Sequence, residues 1–468
     1  MKLVIASYLF SILFMTATSH AQETFEAKSS SEVVIDSGSL RGAESGGVVS
    51  YKGIPFAASP VGSLRWRAPQ APVEWAGTRT ATEYGSDCMQ KPMANDAAPL
   101  GTPPTEDCLY LNVWRPAKPA IKMPVLVWIY GGGFLNGGAS PPTYSGAELA
   151  KQGIVFVSFN YRVGRFGFFM HPELTHEAKG EPLGNYGFMD QIAALNWVKR
   201  NIHAFGGNAE DVTIVGESAG GMSIHTLLTS PMTKNLFHKA VIQSGGDGKL
   251  MMADKTSAEQ AGTAFAKAKG IEASASEPIA KLRALSAEEV TDGLSMATLF
   301  EKPSDGPKTY TLPMYDGQVA VNALAAYSTG RFRKVPIMVG ATSADLFGID
   351  GPMIAGAQTI ARTLSGENIP VYYYQFSYVA ESVRTPETRG ASHASEIPFF
   401  FRTLHAKYGD TVTSLDAKTS SLASSYLINF VKTGDPNGEG LPAWPKYQTG
   451  GLNRLDFDED GAATTMND

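Results

Sequence analysis

Six short runs of unbroken apolarity stand out along the chain: "PVLVWIY" (124–130), "GIVFVSF" (153–159), "VTIV" (212–215), "KAVIQ" (239–243), "VPIMV" (335–339) and "VYYYQF" (371–376). They are rich in β-branched and aromatic residues and do not alternate with polar ones, so they predict strands buried on both faces, as in a parallel sheet covered by helices. Between them the apolar period changes. "NYGFMDQIAALNWVKRNIHAFGGN" carries Ile192, Leu195 and Val198 at helical spacing and stops at Gly206 and Gly207. "TSAEQAGTAFAKAKG" sets Thr256 three residues before Glu259, a capping-box pattern, and ends at Gly270, while "LSAEEVTDGL" repeats the device with Ser286 and Glu289.

Strands alternating with helices, with no internal repeat and no long linker, predict an α/β fold around a mostly parallel sheet. The helical patterns that follow residue 250 interrupt the strand rhythm, and they predict a helical cap over the sheet within about 250–334.

The first residues change the picture of location. One charge at Lys2, an apolar run from Leu3 to Met15 and the small-residue end Ser19-His20-Ala21 read as an export leader of residues 1–21, leaving a single domain of 22–468. The apolar run is shorter than the ~20 residues a membrane span needs, and no later stretch is long enough. A secreted or periplasmic protein is expected. Its only two cysteines, Cys88 and Cys108, are free to pair in an oxidising compartment or to remain two thiols. The formal charge of -6 has no basic run behind it, so nucleic acid is not an expected partner.

Candidate chemistry begins at "VTIVGESAGGMS", residues 212–223. A Gly-x-Ser-x-Gly string alone decides little in a chain with 48 glycines, but here a buried strand runs straight into Ser218 and a small-residue helix start follows. That is the setting of a nucleophile elbow, where small neighbours let helix and strand approach and the helix N-terminus turns its free amides toward the site. Upstream, three glycines in "WIYGGGFLNGG" (128–138) free backbone N–H groups to face a cavity, as an oxyanion hole requires. A dinucleotide fingerprint fits worse: Gly131 and Gly133 are followed by Gly137, one residue late, and the next strand ends at Asn160 where an acid would meet a ribose.

A serine needs a base. Of eight histidines, His20 leaves with the leader, and His171, His176 and His203 read as loop or helix-surface residues. His225 lies seven residues beyond Ser218 on one helix, roughly 10 Å along its axis, too far to take the proton. His238 precedes a strand and His405 sits in a polar segment, whereas His393, in "RGASHASEIPFFF", has small neighbours in a loop after a strand. No histidine pair has metal-ligand spacing, so neither a metal nor another cofactor is expected.

With "YKGIPFAASPVGSLRWRAP", "EDCLYLNVWRP", "NYRVGRFGF" and "FVKTGDPN" in order beside these motifs, the chain resembles the type B carboxylesterases of the α/β-hydrolase superfamily over nearly its whole length after the leader. The resemblance implies an α/β-hydrolase fold and a Ser–acid–His order, with Ser218 as nucleophile and His393 as base. It implies oxyanion donors at Gly132, Gly133 and Ala219, a Cys88–Cys108 bridge and an ion pair between Arg65 and Glu106. The acid falls in "GATSADLFG", where most relatives carry Glu-Gly and this chain has Asp345-Leu346; an aspartate orients an imidazole equally well if its backbone comes nearer, the alternative being a capping role with Asp350 serving instead. Only 48 positions separate Asp345 from His393, fewer than in most relatives, so a shortened roof and room for bulkier esters are expected. The stretch between the cysteines has no aromatic residue to hold a quaternary ammonium, which disfavours choline esters.

The expected activity is hydrolysis of small-molecule carboxylic esters, with an amidase, a thioesterase or a catalytically silent binding member as rivals. Glu217, beside the nucleophile, either biases the imidazolium or holds a water, or merely packs the elbow. An ordinary histidine base predicts activity rising through roughly pH 6 to 7.5.

Overall fold

The computed structural model describes residues 31–468 except 94–95, 179, 250, 273, 302–305, 449, 452 and 468, so the leader expected at 1–21 lies outside the described residues. In chain order the strands are β1 (Glu32–Ile35), β2 (Gly38–Arg41), β3 (Ala43–Ser45), β4 (Val48–Pro55), β5 (Thr78–Thr80), β6 (Tyr110–Pro116) and β7 (Met123–Ile129). They continue with β8 (Val155–Phe159), β9 (Gly207–Glu217), β10 (Lys239–Gln243), β11 (Ile337–Thr342), β12 (Val371–Phe376), β13 (Asn453–Phe457) and β14 (Ala463–Asn467).

Eleven strands form one sheet in the order β14-β13-β12-β11-β10-β9-β7-β8-β6-β4-β3, and β1, β2 and β5 form a small separate one. Strands β8, β7, β9, β10, β11, β12 and β13 pair in parallel, and the two ends of the sheet turn antiparallel. All six apolar runs lie on parallel strands, and every residue of β8, β10 and β11 is buried. Helices cover both faces, so no position on these strands gains from being polar, and continuous apolarity results. The edges of the sheet carry no such runs: β3 exposes Glu44 and Ser45, and β13, parallel to β12 on one side and antiparallel to β14 on the other, mixes half-buried polar positions into five residues.

The helix Tyr186–Asn201 runs on through a 3-10 turn to Gly206, whose φ of 82° reverses the chain as the sequence indicates. Ser286 and Glu289 form the expected capping box. At the earlier helix Lys255–Ala268 the expectation fails: Asp254 is the cap, accepting from the Ser257 amide, and Thr256 is already the second residue of the helix. Aspartate two residues earlier offers the same oxygen with a charge suited to the helix N-terminus. Among the described residues no helix is long and apolar enough to cross a membrane.

Candidate active site

Strand β9 delivers its last residue, Glu217, to the carboxyl edge of the sheet, and Ser218 follows with φ 55° and ψ -123° before the helix Ala219–Thr229 begins. A non-glycine residue held at positive φ is strained. Tertiary contacts hold it there: the Ser218 amide donates to the Gln243 carbonyl at 2.9 Å, and a Cβ on Gly216 would press on the Gly220 backbone at 2.5 Å, so only glycine lets strand and helix close this tightly.

Asp345 and His393 come from loops that are tied together. The Ala344 amide donates to the Ala391 carbonyl at 2.9 Å, and the Ala391 amide to Ser343 Oγ at 3.0 Å. Behind His393 the short helix Ile397–Phe401 packs on the helix Ser414–Thr433 and buries Phe399 and Phe400 against β12 and Phe401 against Trp128 and Phe156 of β7 and β8, which anchors the loop. The result is a continuous chain of contacts: His393 Nε2 is 2.9 Å from Ser218 Oγ, and His393 Nδ1 is 2.7 Å from Asp345 Oδ1. Asp350, the alternative acid, is exposed.

Asp345 is over-supplied with donors. Oδ2 accepts from Ser244 Oγ (2.6 Å), Thr342 Oγ1 (2.8 Å) and the Thr342 amide (3.2 Å), while Oδ1 also accepts from the Leu346 amide at 2.7 Å. Burial alone would raise its carboxyl, but the bonds from His393 and Ser244 outweigh it and hold the pKa below the usual range. For His393, burial pulls down while the carboxylates of Glu217 and Asp345 push up more strongly, to about 9. Glu217, fully buried, is raised to about 7 by that burial, its Oε1 lying 3.2 Å from His393 Nε2. Glu396 is buried, neither carboxyl oxygen has a hydrogen-bond partner among the described residues, and burial with Glu217 nearby drives its pKa well above the usual carboxylate range.

Gly132 (φ 105°) and Gly133 (φ 62°) follow β7 at the rim of the same space. Neither amide donates to a protein acceptor among the described residues, and the Ala219 amide, first in its helix, has no intrahelical acceptor. Gly131, Gly132, Glu217, Ser218, Met296 and His393 line a common cavity of about 200 Å³. Leu299 packs over Gly133, where a Cβ would meet its Cδ1 at 2.7 Å.

The remaining expectations fall out as follows. Cys88 and Cys108 are joined in a disulfide. Arg65 grips Glu106 through two bonds, one of them Nε to Oε2 at 2.8 Å, and also caps the Leu285 carbonyl at 2.7 Å, so the pair fastens the helix Pro278–Arg283 to the body. His176 and His203 are exposed, but His171 is a correction: it is buried, and its Nδ1 accepts the Glu173 amide as a helix cap. His225 is buried against Tyr327, Nδ1 to Oη 2.9 Å. Ser244, Thr342 and Glu396 were missed. Glu396 follows His393 by three residues, and the other two end strands at the sheet's carboxyl edge, where a polar residue in a buried run was the available signal.

The comparisons agree on the fold and the family. The carboxylesterase family model matches residues 29–351 and 349–467. A para-nitrobenzyl esterase of Bacillus subtilis is 34% identical, covering 88% of this chain and 91% of its own, and a fumonisin B1 esterase of Sphingopyxis macrogoltabida is 32% identical, covering 89% and 84%. A solved para-nitrobenzyl esterase superposes with a TM-score of 0.82 at 31% identity over 94% of this chain and 97% of its own. The chain belongs to the carboxylesterase family: it is a carboxylic ester hydrolase built on the α/β-hydrolase fold.

Proposed function

We propose that this hydrolase works through Ser218 as nucleophile, His393 as general base and acid, Asp345 as the group that orients and charges the imidazole, and the amides of Gly132, Gly133 and Ala219 as the oxyanion hole. The observation that carries the reading is the unbroken run Ser218 Oγ–His393 Nε2–His393 Nδ1–Asp345 Oδ1, at 2.9 and 2.7 Å, on a strained strand-to-helix turn.

Ser218 Oγ bonds to the ester carbonyl carbon as its proton passes to His393 Nε2. The carbonyl oxygen becomes an oxyanion facing the three amides, each such donor being worth roughly 3–4 kcal/mol in related chemistry. The intermediate collapses, the C–O bond to the alcohol breaks, and the alcohol leaves with the proton from Nε2. Water then gives a proton to His393 and attacks the acyl-enzyme; the acid departs and Ser218 regains its proton.

The helices between Lys255 and Leu299 act as a cap, a reading supported by Met296 lining the cavity and Leu299 covering Gly133. The protein is exported and its leader removed after Ala21, a reading supported by the disulfide; N-terminal sequencing of the mature protein should begin at Gln22. Because one relative is named for para-nitrobenzyl esters, such an ester is the first substrate to try. Fluorophosphonate labelling is the decisive experiment: the native protein should label and Ser218→Ala should not. An unlabelled native protein, or a labelled Ser218→Ala, overturns the assignment.

A further inference from the structure

Of all the aromatic residues among the described residues, only Phe300 and Phe347 are exposed, at 57% and 68%, and they face each other with ring centroids 6.5 Å apart. Every other Phe, Tyr and Trp ring among the described residues is wholly or partly covered, so the pair is not a sample of careless surface composition. Ile349, 73% exposed, stands beside them in sequence.

Neither ring lines the catalytic cavity itself, but each follows within a few residues a side chain that does or that contacts His393. Phe300 ends the turn Met296–Leu299, whose first residue lines the cavity and whose last covers Gly133; the Met296 amide is pinned by Asn136 Oδ1 at 2.6 Å. Phe347 lies two residues after Asp345 in a tight turn closed by Gly348 N to the Asp345 carbonyl at 3.0 Å. It sits there at φ 68°, a left-handed conformation that is strained for a residue with a Cβ and that glycine or asparagine would adopt more easily. In the free protein the ring contact with Phe300 is the one aromatic contact of Phe347 set against this strain among the described residues. The two segments of the family match meet at 349–351, just after Phe347.

We propose that Phe300 and Phe347 form an apolar shelf, continuous with the catalytic cavity, that receives the long aliphatic chain of an ester after its carbonyl has entered the oxyanion hole. This rests on the esterase mechanism proposed above and adds the substrate class: long-chain aliphatic esters are preferred over short ones. A chain laid across the two rings removes apolar surface of both partners from water, and the gain grows with chain length until the shelf is covered.

The test compares kcat/KM for p-nitrophenyl decanoate and p-nitrophenyl acetate, and for decyl acetate and ethyl acetate, in the native enzyme and in Phe300→Ala/Phe347→Asn. Asparagine keeps the left-handed turn accessible, and fluorophosphonate titration counts active sites in each preparation. The long-to-short ratio should fall by about tenfold in the acyl series, the alcohol series or both, the affected series showing which half of the ester lies on the shelf. A ratio unchanged in both series overturns the proposal while leaving the esterase assignment intact; failure of the native protein to label removes both. A native dimer that the double variant converts to monomer, with the ratio unchanged, assigns the rings to a second copy of the chain and also overturns it.

Discussion

Glu217 Oε1 lies 3.2 Å from the same His393 nitrogen that reaches Ser218, so one imidazole edge faces both a nucleophile and a buried carboxyl. An ionised Glu217 stabilises the imidazolium and repels the neutral base's lone pair, and the two groups therefore compete for one proton. The base acts only when neutral. With His393 raised to about 9, kcat/KM should rise with pH on the alkaline side of neutrality rather than between pH 6 and 7.5, where an unperturbed imidazole places it. Glu217→Gln removes the charge and should move that limb down by about one to three pH units. A limb that stays in place in the variant assigns Glu217 to elbow packing alone.

Asp345 should be indispensable in charge but not in fold. Asp345→Asn keeps the shape and most of the acceptor bonds to Ser244 and Thr342, yet it stabilises the wrong imidazole tautomer and cannot balance the imidazolium. We expect kcat to fall about 10⁴-fold with thermal stability little changed. Loss of the folded state by circular dichroism, instead of loss of turnover, shows that the carboxylate is structural.

The central sheet was legible because physics writes it redundantly: strands buried on both faces must be apolar throughout, and β10 and β12 coincide with the runs that predict them. Ser218 was legible for a related reason, since a strained elbow admits only small neighbours at Gly216 and Gly220. The partners of Asp345 were not. Ser244 is 101 residues away and reaches the carboxylate only because β10 and β11 are adjacent in the sheet, a relation no local pattern encodes. Likewise the perturbation of His393 depends on Glu217 and Asp345 converging from separate segments, whereas the sequence offers only an isolated histidine with an ordinary pKa.

The glycines after β7 should matter through their backbone. At Gly132 a Cβ would press into the Asn136 carbonyl, a backbone atom that cannot swing away, and φ 105° is a conformation that alanine resists. Gly132→Ala should therefore displace the amides that face the cavity and lower kcat by about 10²–10³-fold while fluorophosphonate still reaches Ser218 slowly. Unaltered kcat would remove these amides from the mechanism.

The disulfide closes a loop of sequence separation 20 that carries Asp96 and Ala98 to the cavity wall. In the chain-entropy model, closing a loop of this size stabilises the fold by roughly 3 kcal/mol. Cys88→Ser/Cys108→Ser should lower the melting temperature by a few degrees and raise KM more than it lowers kcat, because the wall loosens while the triad stays put. A fall in kcat alone would place the bridge's effect on the triad instead.

His225 should make the fold sensitive to acid. It is fully buried, bonded to Tyr327, and burial lowers its pKa to about 4 against an ordinary value of 6.5. Between those values the unfolded chain binds a proton that the folded one refuses, so stability falls as pH drops through that window. The span of ~2.5 pH units corresponds to about 3 kcal/mol lost by pH 4, fully recovered above pH 6.5. His225→Asn keeps a polar group for Tyr327 but cannot titrate. The variant should show a smaller drop in melting temperature between pH 7 and pH 4.5 than the native protein, whatever its stability at pH 7, and parallel drops in the two proteins would place the acid sensitivity elsewhere.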